Sequence, residues 1–308
     1  MIETFPRQRS ARRGTYSIVA RDPETGALGV AVQSHWFSVG PLVPWAEAGA
    51  GAVATQANVE VSYGPLLLER LRSGQHADDA LTHLVAADPE AGVRQVAVVD
   101  VRGSVAAHTG ADCMPFAGHV SGKGFSCQAN LMADARVWPA MAEAFEVAPG
   151  SFPYRLLAAL DAGEAAGGDV RGRQSAAVLV VPAAGRVWER IVDLRVEDNP
   201  EPLVELRRLL HLHDAYVLAG EGDRLVGEGR LDEAAAQFVR AHEASPNNPE
   251  LSFWAGLSLV ALGEEKGGID LLREAIATHP GWLDLLLRLS TQAGPGVERA
   301  RILLGASS

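Results

Sequence analysis

Polar and apolar positions alternate strongly from Thr15 onward. Thr15-Tyr16-Ser17-Ile18-Val19-Ala20 and Gly29-Val30-Ala31-Val32-Gln33-Ser34 are two such runs. Asp22-Pro23-Glu24-Thr25-Gly26 between them has turn chemistry, so the spacing predicts a β-hairpin over 15–34. Residues 52–56 read as a third short strand. Gly64-Pro65 then opens a helical region in which Leu66, Leu67 and Leu71, and later Ala80, Leu81, Leu84 and Val85, fall at helical spacing. A second hairpin is predicted over 94–100 and 104–109, around Arg102-Gly103, and a further strand over 125–131. Helices are expected over 134–147 and 151–162. After a loop containing Gly163, Gly167, Gly168 and Gly172, residues 174–181 and 187–196 form a last hairpin. Strands and helices come in groups rather than in regular βαβ alternation. The predicted class is therefore α+β with antiparallel sheets.

Past Asn199-Pro200 the strand signal stops. A helix is expected over 203–212, and everything from Asp214 onward reads as helical. Here the chain repeats itself at an offset of 34 residues: Gly222 with Gly256, Leu225 with Leu259, Ala234 with Gly268, Phe238 with Leu272, Ala241 with Ala275, Pro246 with Pro280. The pattern resembles the tetratricopeptide repeat, without its usual Trp near the repeat start. Residues 282–289 suit a closing helix. Two repeats are few for independent stability, so the region is expected to lean on the first domain through the helix at 203–212. The expected organisation is a basic extension over 1–14, a first domain over 15–213 and a helical domain over 214–308.

Composition narrows the classes. The chain has 308 residues, 47% hydrophobic and 21% charged, with a net charge of -11. That balance disfavours a nucleic-acid partner. Lysine occurs only at positions 123 and 266, so a lysine-dependent mechanism has few candidates. Two cysteines, Cys113 and Cys127, make no disulfide framework and fit a reducing, cytoplasmic setting. No segment approaches the roughly 20 apolar residues of a membrane span. Residues 1–14 carry four arginines and no apolar run, so they read as a basic arm, a propeptide or an early start, and not as a secretory signal.

Several residues have chemical potential, each with a plainer alternative. Thr15 follows Gly14 directly. A Thr at a chain terminus supplies both a hydroxyl nucleophile and an amine base; otherwise Thr15 is an ordinary strand residue. Asp169 either orients that Thr or caps turn N–H groups. Arg171 and Arg173 either fork onto a substrate carboxylate or pair with Asp169. Ser34 and Ser126 either relay protons or end strands. Asn130 and Gln128 either donate to an oxyanion or are buried amides bonded to backbone. Asp112, Cys113 and His119 match no zinc spacing, so no metal is expected. Cys127 reads as core, and the glycine-rich loop at 163–172 lacks the ending of a P-loop, so no cofactor is expected either.

Together Thr15-Tyr16-Ser17-Ile18-Val19-Ala20-Arg21-Asp22, Gly29-Val30-Ala31-Val32-Gln33-Ser34, Ser62-Tyr63-Gly64-Pro65, Thr109-Gly110-Ala111-Asp112-Cys113, Ala117-Gly118-His119, Phe125-Ser126-Cys127-Gln128-Ala129-Asn130 and Gly167-Gly168-Asp169-Val170-Arg171-Gly172-Arg173-Gln174-Ser175 resemble a bacterial family of unknown function, DUF1028, over 15–213. That family is assigned to the N-terminal-nucleophile (Ntn) hydrolases. The resemblance implies a four-layer αββα sandwich with Thr15 as nucleophile after removal of residues 1–14. It further implies cleavage of an amide in a small molecule or short peptide. Asp169, Ser34 and Ser126 would assist, and Arg171, Arg173, Asn130 and His119 would hold substrate. A more distant resemblance runs to proteasome β subunits, which also begin Gly-Thr. Gln33 stands where those have an acid, and no lysine lies near residues 52–56. The competing expectation is a non-catalytic protein of the same fold whose repeats bind a protein partner. Homo-oligomers suit either reading.

Overall fold

The computed structural model describes residues 14–290 and 296–306. The expected basic extension, apart from Gly14, lies outside the described residues. The chain divides into two compact units, Met1–Arg207 and Arg208–Ser308.

The first unit contains β1 (Thr15–Arg21), β2 (Leu28–Ser34), β3 (Pro44–Glu47), β4 (Gly51–Ala57), α1 (Tyr63–Arg72), α2 (Ala77–Ala87), β5 (Arg94–Asp100), β6 (Val105–Thr109), β7 (Gly118–Gly122), β8 (Phe125–Asn130), α3 (Val137–Val147), α4 (Phe152–Ala165), β9 (Ser175–Val181) and β10 (Val192–Val196). The strands form two antiparallel sheets, ordered β10-β9-β2-β1-β8-β7 and β3-β4-β5-β6. Helices α3 and α4 pack on the six-stranded sheet, α1 and α2 on the four-stranded one, and the inner faces of the sheets meet.

Strand alternation explains this packing. In β1, Val19 joins Leu28, Val30 and Val32 of β2 between the sheets, against Ala52, Ala54, Ala97 and Val99. Val53, Val96 and Val98 point the other way, onto Leu67, Leu71, Leu81 and Leu84 of α1 and α2. Each fully buried aliphatic side chain contributes about 1.5–3 kcal/mol.

The structure adds two strands that the sequence pattern does not predict, β3 and β7. Both are edge strands. One begins with Pro44 and the other, Gly-His-Val-Ser-Gly, begins and ends with glycine, so neighbours rather than propensity make them strands. The strand expected over 187–196 starts only at Val192, because a turn closes between Arg186 and Glu189. The helix expected over 203–212 is longer: α5 runs unbroken over Pro202–Gly227, with no proline after its first residue and no glycine before Gly220.

The second unit continues with α6 (Leu231–Ala244), α7 (Pro249–Ala261), α8 (Glu265–Thr278), α9 (Gly281–Arg288) and α10 (Val297–Leu303). Asn248 caps α7, accepting from the N–H groups of Glu250 and Leu251. The 34-residue offset has a physical counterpart. A Cβ on Gly222 would lie 2.9 Å from the Phe238 ring. One on Gly256 would lie 2.7 Å from the Gly268 carbonyl oxygen and 3.0 Å from Leu272. Small residues at equivalent places let successive helices approach closely.

Candidate functional site

Thr15 opens β1, paired with Ser34 of β2 on one side and Asn130 of β8 on the other. It is 2% exposed. Three donors converge on the carbonyl oxygen of Gly14: Thr15 Oγ1 at 2.7 Å, Ser34 Oγ at 2.5 Å and Arg171 Nη2 at 2.9 Å. The two hydroxyl oxygens lie 3.1 Å apart. The single hydrogen of Thr15 goes either to the carbonyl or to Ser34, and in the second arrangement Ser34 donates to the carbonyl in its place.

Asp169 holds this arrangement from the far side. Its Oδ1 accepts from the backbone N–H and Nε of Arg171, both at 3.0 Å. Its Oδ2 accepts from Arg171 Nη2 at 2.7 Å and from the His35 N–H at 3.2 Å. One guanidinium thus spans the carboxylate and the Gly14 carbonyl. A Cβ on residue 14 would lie 2.6 Å from Asp169 Oδ2, so any larger residue would have to displace the Asp169 carboxylate. Asp169 is placed by its bridge to Met132 and by the turns at Gly167 and Gly168, where φ is +126° and +57°.

Inside the sandwich a polar layer continues from Thr15. Gln128 Nε2 donates to Ser17 Oγ at 2.7 Å, and Ser17 donates to Gln56 Oε1 at 2.6 Å. Gln56 Nε2 and Asn130 Nδ2 both donate to Gln95 Oε1, at 2.7 and 2.9 Å, and both reach the Thr15 carbonyl, at 3.3 and 3.4 Å. Gln95 Nε2 lies 2.9 Å from Thr109 Oγ1, which lies 2.9 Å from His119 Nδ1. Ala57 and Leu131, which end β4 and follow β8, have φ of +68° and +57°. Such left-handed backbone on residues with a Cβ is costly and concentrates at functional sites. A cavity of about 10 Å³ lies beside Thr15, lined among others by Ser34, Trp36, Gln56 and Ala57. That is room for about one water.

Thr15, Ser34, Asp169, Arg171 and Asn130 are thus brought together. Ser126 is not. It pairs with Val19, four residues along β1, or about 13 Å from Thr15 at strand rise. Arg173 also lies elsewhere, paired with Glu164 and Glu201. His119 reaches the site only through Thr109 and Gln95. Cys113 donates to the Arg94 carbonyl, Asp112 lies against Gly92, and Cys127 is buried. Among the described residues no group of three or more His, Cys, Asp and Glu is arranged to hold a metal ion, and no helix is long and apolar enough to cross a membrane. Gln56, Gln95 and Thr109 are not among the residues that sequence reasoning selects. Their signal is a polar residue on the inward-facing side of an otherwise apolar strand.

Fold and site define an α+β protein with two facing antiparallel sheets, a threonine at the head of a central strand and a helical C-terminal region. Residues 15–206 match the family of unknown function DUF1028, and the chain belongs to that family. It is similar to the crystal structure of protein SPO2555 from Silicibacter pomeroyi, of the same family. The two share 36% identity, with a TM-score of 0.58, over 64% of this chain and 84% of that one. No curated protein matches the chain.

Proposed function

We propose that the protein is an Ntn-type amide hydrolase that releases residues 1–14 and then uses Thr15 as nucleophile. The two sheets between helix pairs are read as the four-layer Ntn sandwich, and the C-terminal helices as a tetratricopeptide-like module. One observation carries the proposal: the side chains of Thr15, Ser34 and Arg171 all lie within hydrogen-bond reach of the Gly14 carbonyl oxygen while the Asp169 carboxylate packs on the Gly14 backbone.

In the first step Thr15 Oγ attacks the Gly14 carbonyl carbon. Its proton passes through the Ser34 hydroxyl to the carbonyl oxygen, which Arg171 also stabilises. Collapse re-forms the carbonyl, breaks the C–N bond and returns the proton to the Thr15 nitrogen. The product is an ester on Thr15 beside a free α-amine. Water hydrolyses the ester, leaving a carboxylate on Gly14 and restoring the hydroxyl. The amine, with an ordinary pKa of about 7.7–8, then serves as base toward an external amide. It takes the hydroxyl proton during attack and gives it to the departing amine.

Intact-mass analysis of the protein made in cells tests this reading. A chain beginning at Thr15 is expected, and a full-length chain from the Thr15→Ala variant. A parent chain that keeps Gly14 attached would overturn the reading in favour of a non-catalytic module.

A further inference from the structure

Residues 109–119 connect β6 to β7 and so pass from one sheet to the other. They line an open cleft of about 480 Å³ whose wall includes Thr109, Gly110, Cys113, Gly118 and the exposed side chains of Phe116 and His119. This is the size of a small-molecule site, about 300–1,000 Å³. Among the described residues no Asp, Glu, Lys or Arg lines it.

The hydrogen-bond network shows what the wall can offer. Gln95 Nε2 donates to Thr109 Oγ1, so the hydrogen of that hydroxyl is available to His119 Nδ1. With that hydrogen on Nδ1, the neutral ring carries its proton on Nε2, where it can donate to an occupant of the cavity. Partial desolvation of the ring, with His108 nearby, lowers His119 from the usual histidine value. Burial also pushes the Cys113 thiol up to about 11. The wall is therefore uncharged at neutral pH.

The cavity is tied to the Thr15 site twice. Through the sandwich, Thr109 and the Gly118 carbonyl bond Gln95, which bonds Asn130, which bonds the Thr15 carbonyl. Along the rim, Met132 N–H donates to the Phe116 carbonyl while Val170 N–H donates to the Leu131 carbonyl. The cavity wall and the Asp169 loop are clipped to adjacent residues.

We infer that this cavity binds the uncharged distal part of an elongated amide substrate, an amide carbonyl accepting from His119 Nε2–H while Phe116 covers the apolar portion. Its role as a substrate site rests on the Thr15 reading; the binding itself does not.

The test uses the full chain carrying Thr15→Ala, labelled with ¹⁵N-histidine, with His119→Gln assigning the His119 signal. The probe is N-acetyl-glycyl-glycinamide, compared with its carboxylate counterpart N-acetyl-glycyl-glycine. The neutral probe should move the His119 Nε2 resonance saturably, and the carboxylate should bind at least about tenfold more weakly. Thr109→Val should weaken the neutral probe by a similar factor and Thr109→Ser should restore it. Absence of a saturable shift with the neutral probe, or equal binding of the carboxylate, overturns the inference. Release of residues 1–14 by the parent chain is read separately by mass, so failure of binding and failure of the Thr15 reading are distinguishable.

Discussion

The space between the two sheets has two unlike ends. Around Leu28, Val30 and Val32 it is filled by aliphatic side chains from both sheets. Around Thr15 the same strands supply Ser17, Ser34, Gln56, Gln95, Gln128 and Asn130, and all are buried. Burying an amide or hydroxyl without a partner costs about 1–3 kcal/mol by mutational data. Cohesion alone would therefore extend the valines along the whole gap. Here the polar end is instead cross-bonded through Gln56 and Gln95, and left-handed backbone at Ala57 and Leu131 closes it. A local departure from good packing, cross-bonded yet leaving Gln128 Oε1 and Asn130 Oδ1 buried without partners, marks where a fold gives up cohesion for chemistry.

The comparison breaks first at Thr15. Thr15→Ala should slow release of residues 1–14 at least about a thousandfold, as loss of a nucleophile does elsewhere. It should change unfolding free energy by only about 1 kcal/mol, the worth of one hydrogen bond. Mass spectrometry beside denaturant titration reads both. A variant that loses several kcal/mol would make Thr15 a packing residue.

Arg171→Lys keeps a cation beside Asp169 and removes the fork that reaches the Gly14 carbonyl. Release should slow about a hundredfold, the usual effect of losing one oxyanion donor. Time courses of intact mass after a synthesis pulse measure it, and an unchanged rate removes Arg171 from the mechanism.

At the apolar end the dissociation reverses. Leu28→Ala should cost about 2–5 kcal/mol through lost burial and a residual cavity. Folded molecules should still release residues 1–14 at the parent rate. If release slows as stability falls, the two ends are one mechanical unit.

The two ends were not equally legible in the sequence. The hairpin of β1 and β2 follows from alternation and the Asp22–Gly26 turn, and β5 matches its predicted span, because those strands agree with their own propensity. The edge strands β3 and β7 pair with the next strands in the chain, β4 and β8, but Pro44 and the glycines at 118 and 122 give them little strand signal of their own. At the site, Thr15 and Asp169 stand out because Gly14 and a glycine-rich loop flank them. Gln95 does not stand out. It is a lone glutamine in Arg-Gln-Val-Ala-Val-Val, and its role depends on Gln56, Asn130 and Thr109 arriving from three other strands. Ser126 and Ser34 look alike in sequence, and only strand register separates them.

The smallest effect belongs to the outer edge of the polar layer. Partial desolvation and the nearby His108 lower the proton affinity of His119 in the folded chain below its value of about 6.5 in the unfolded one. As pH falls through 6.5 the unfolded state therefore takes up more protons at this residue, and stability contributed above that pH is lost. The proton added at Nδ1 also removes the acceptor for Thr109. The chain should unfold at lower denaturant near pH 5.5 than near pH 7.5, and His119→Gln should narrow that gap. The chain has nine histidines, so the difference between parent and variant isolates this one. Equal gaps in the two would mean that His119 titrates freely in solvent and that the polar layer ends at Thr109. A narrowed gap would extend the layer to the wall of the 480 Å³ cavity.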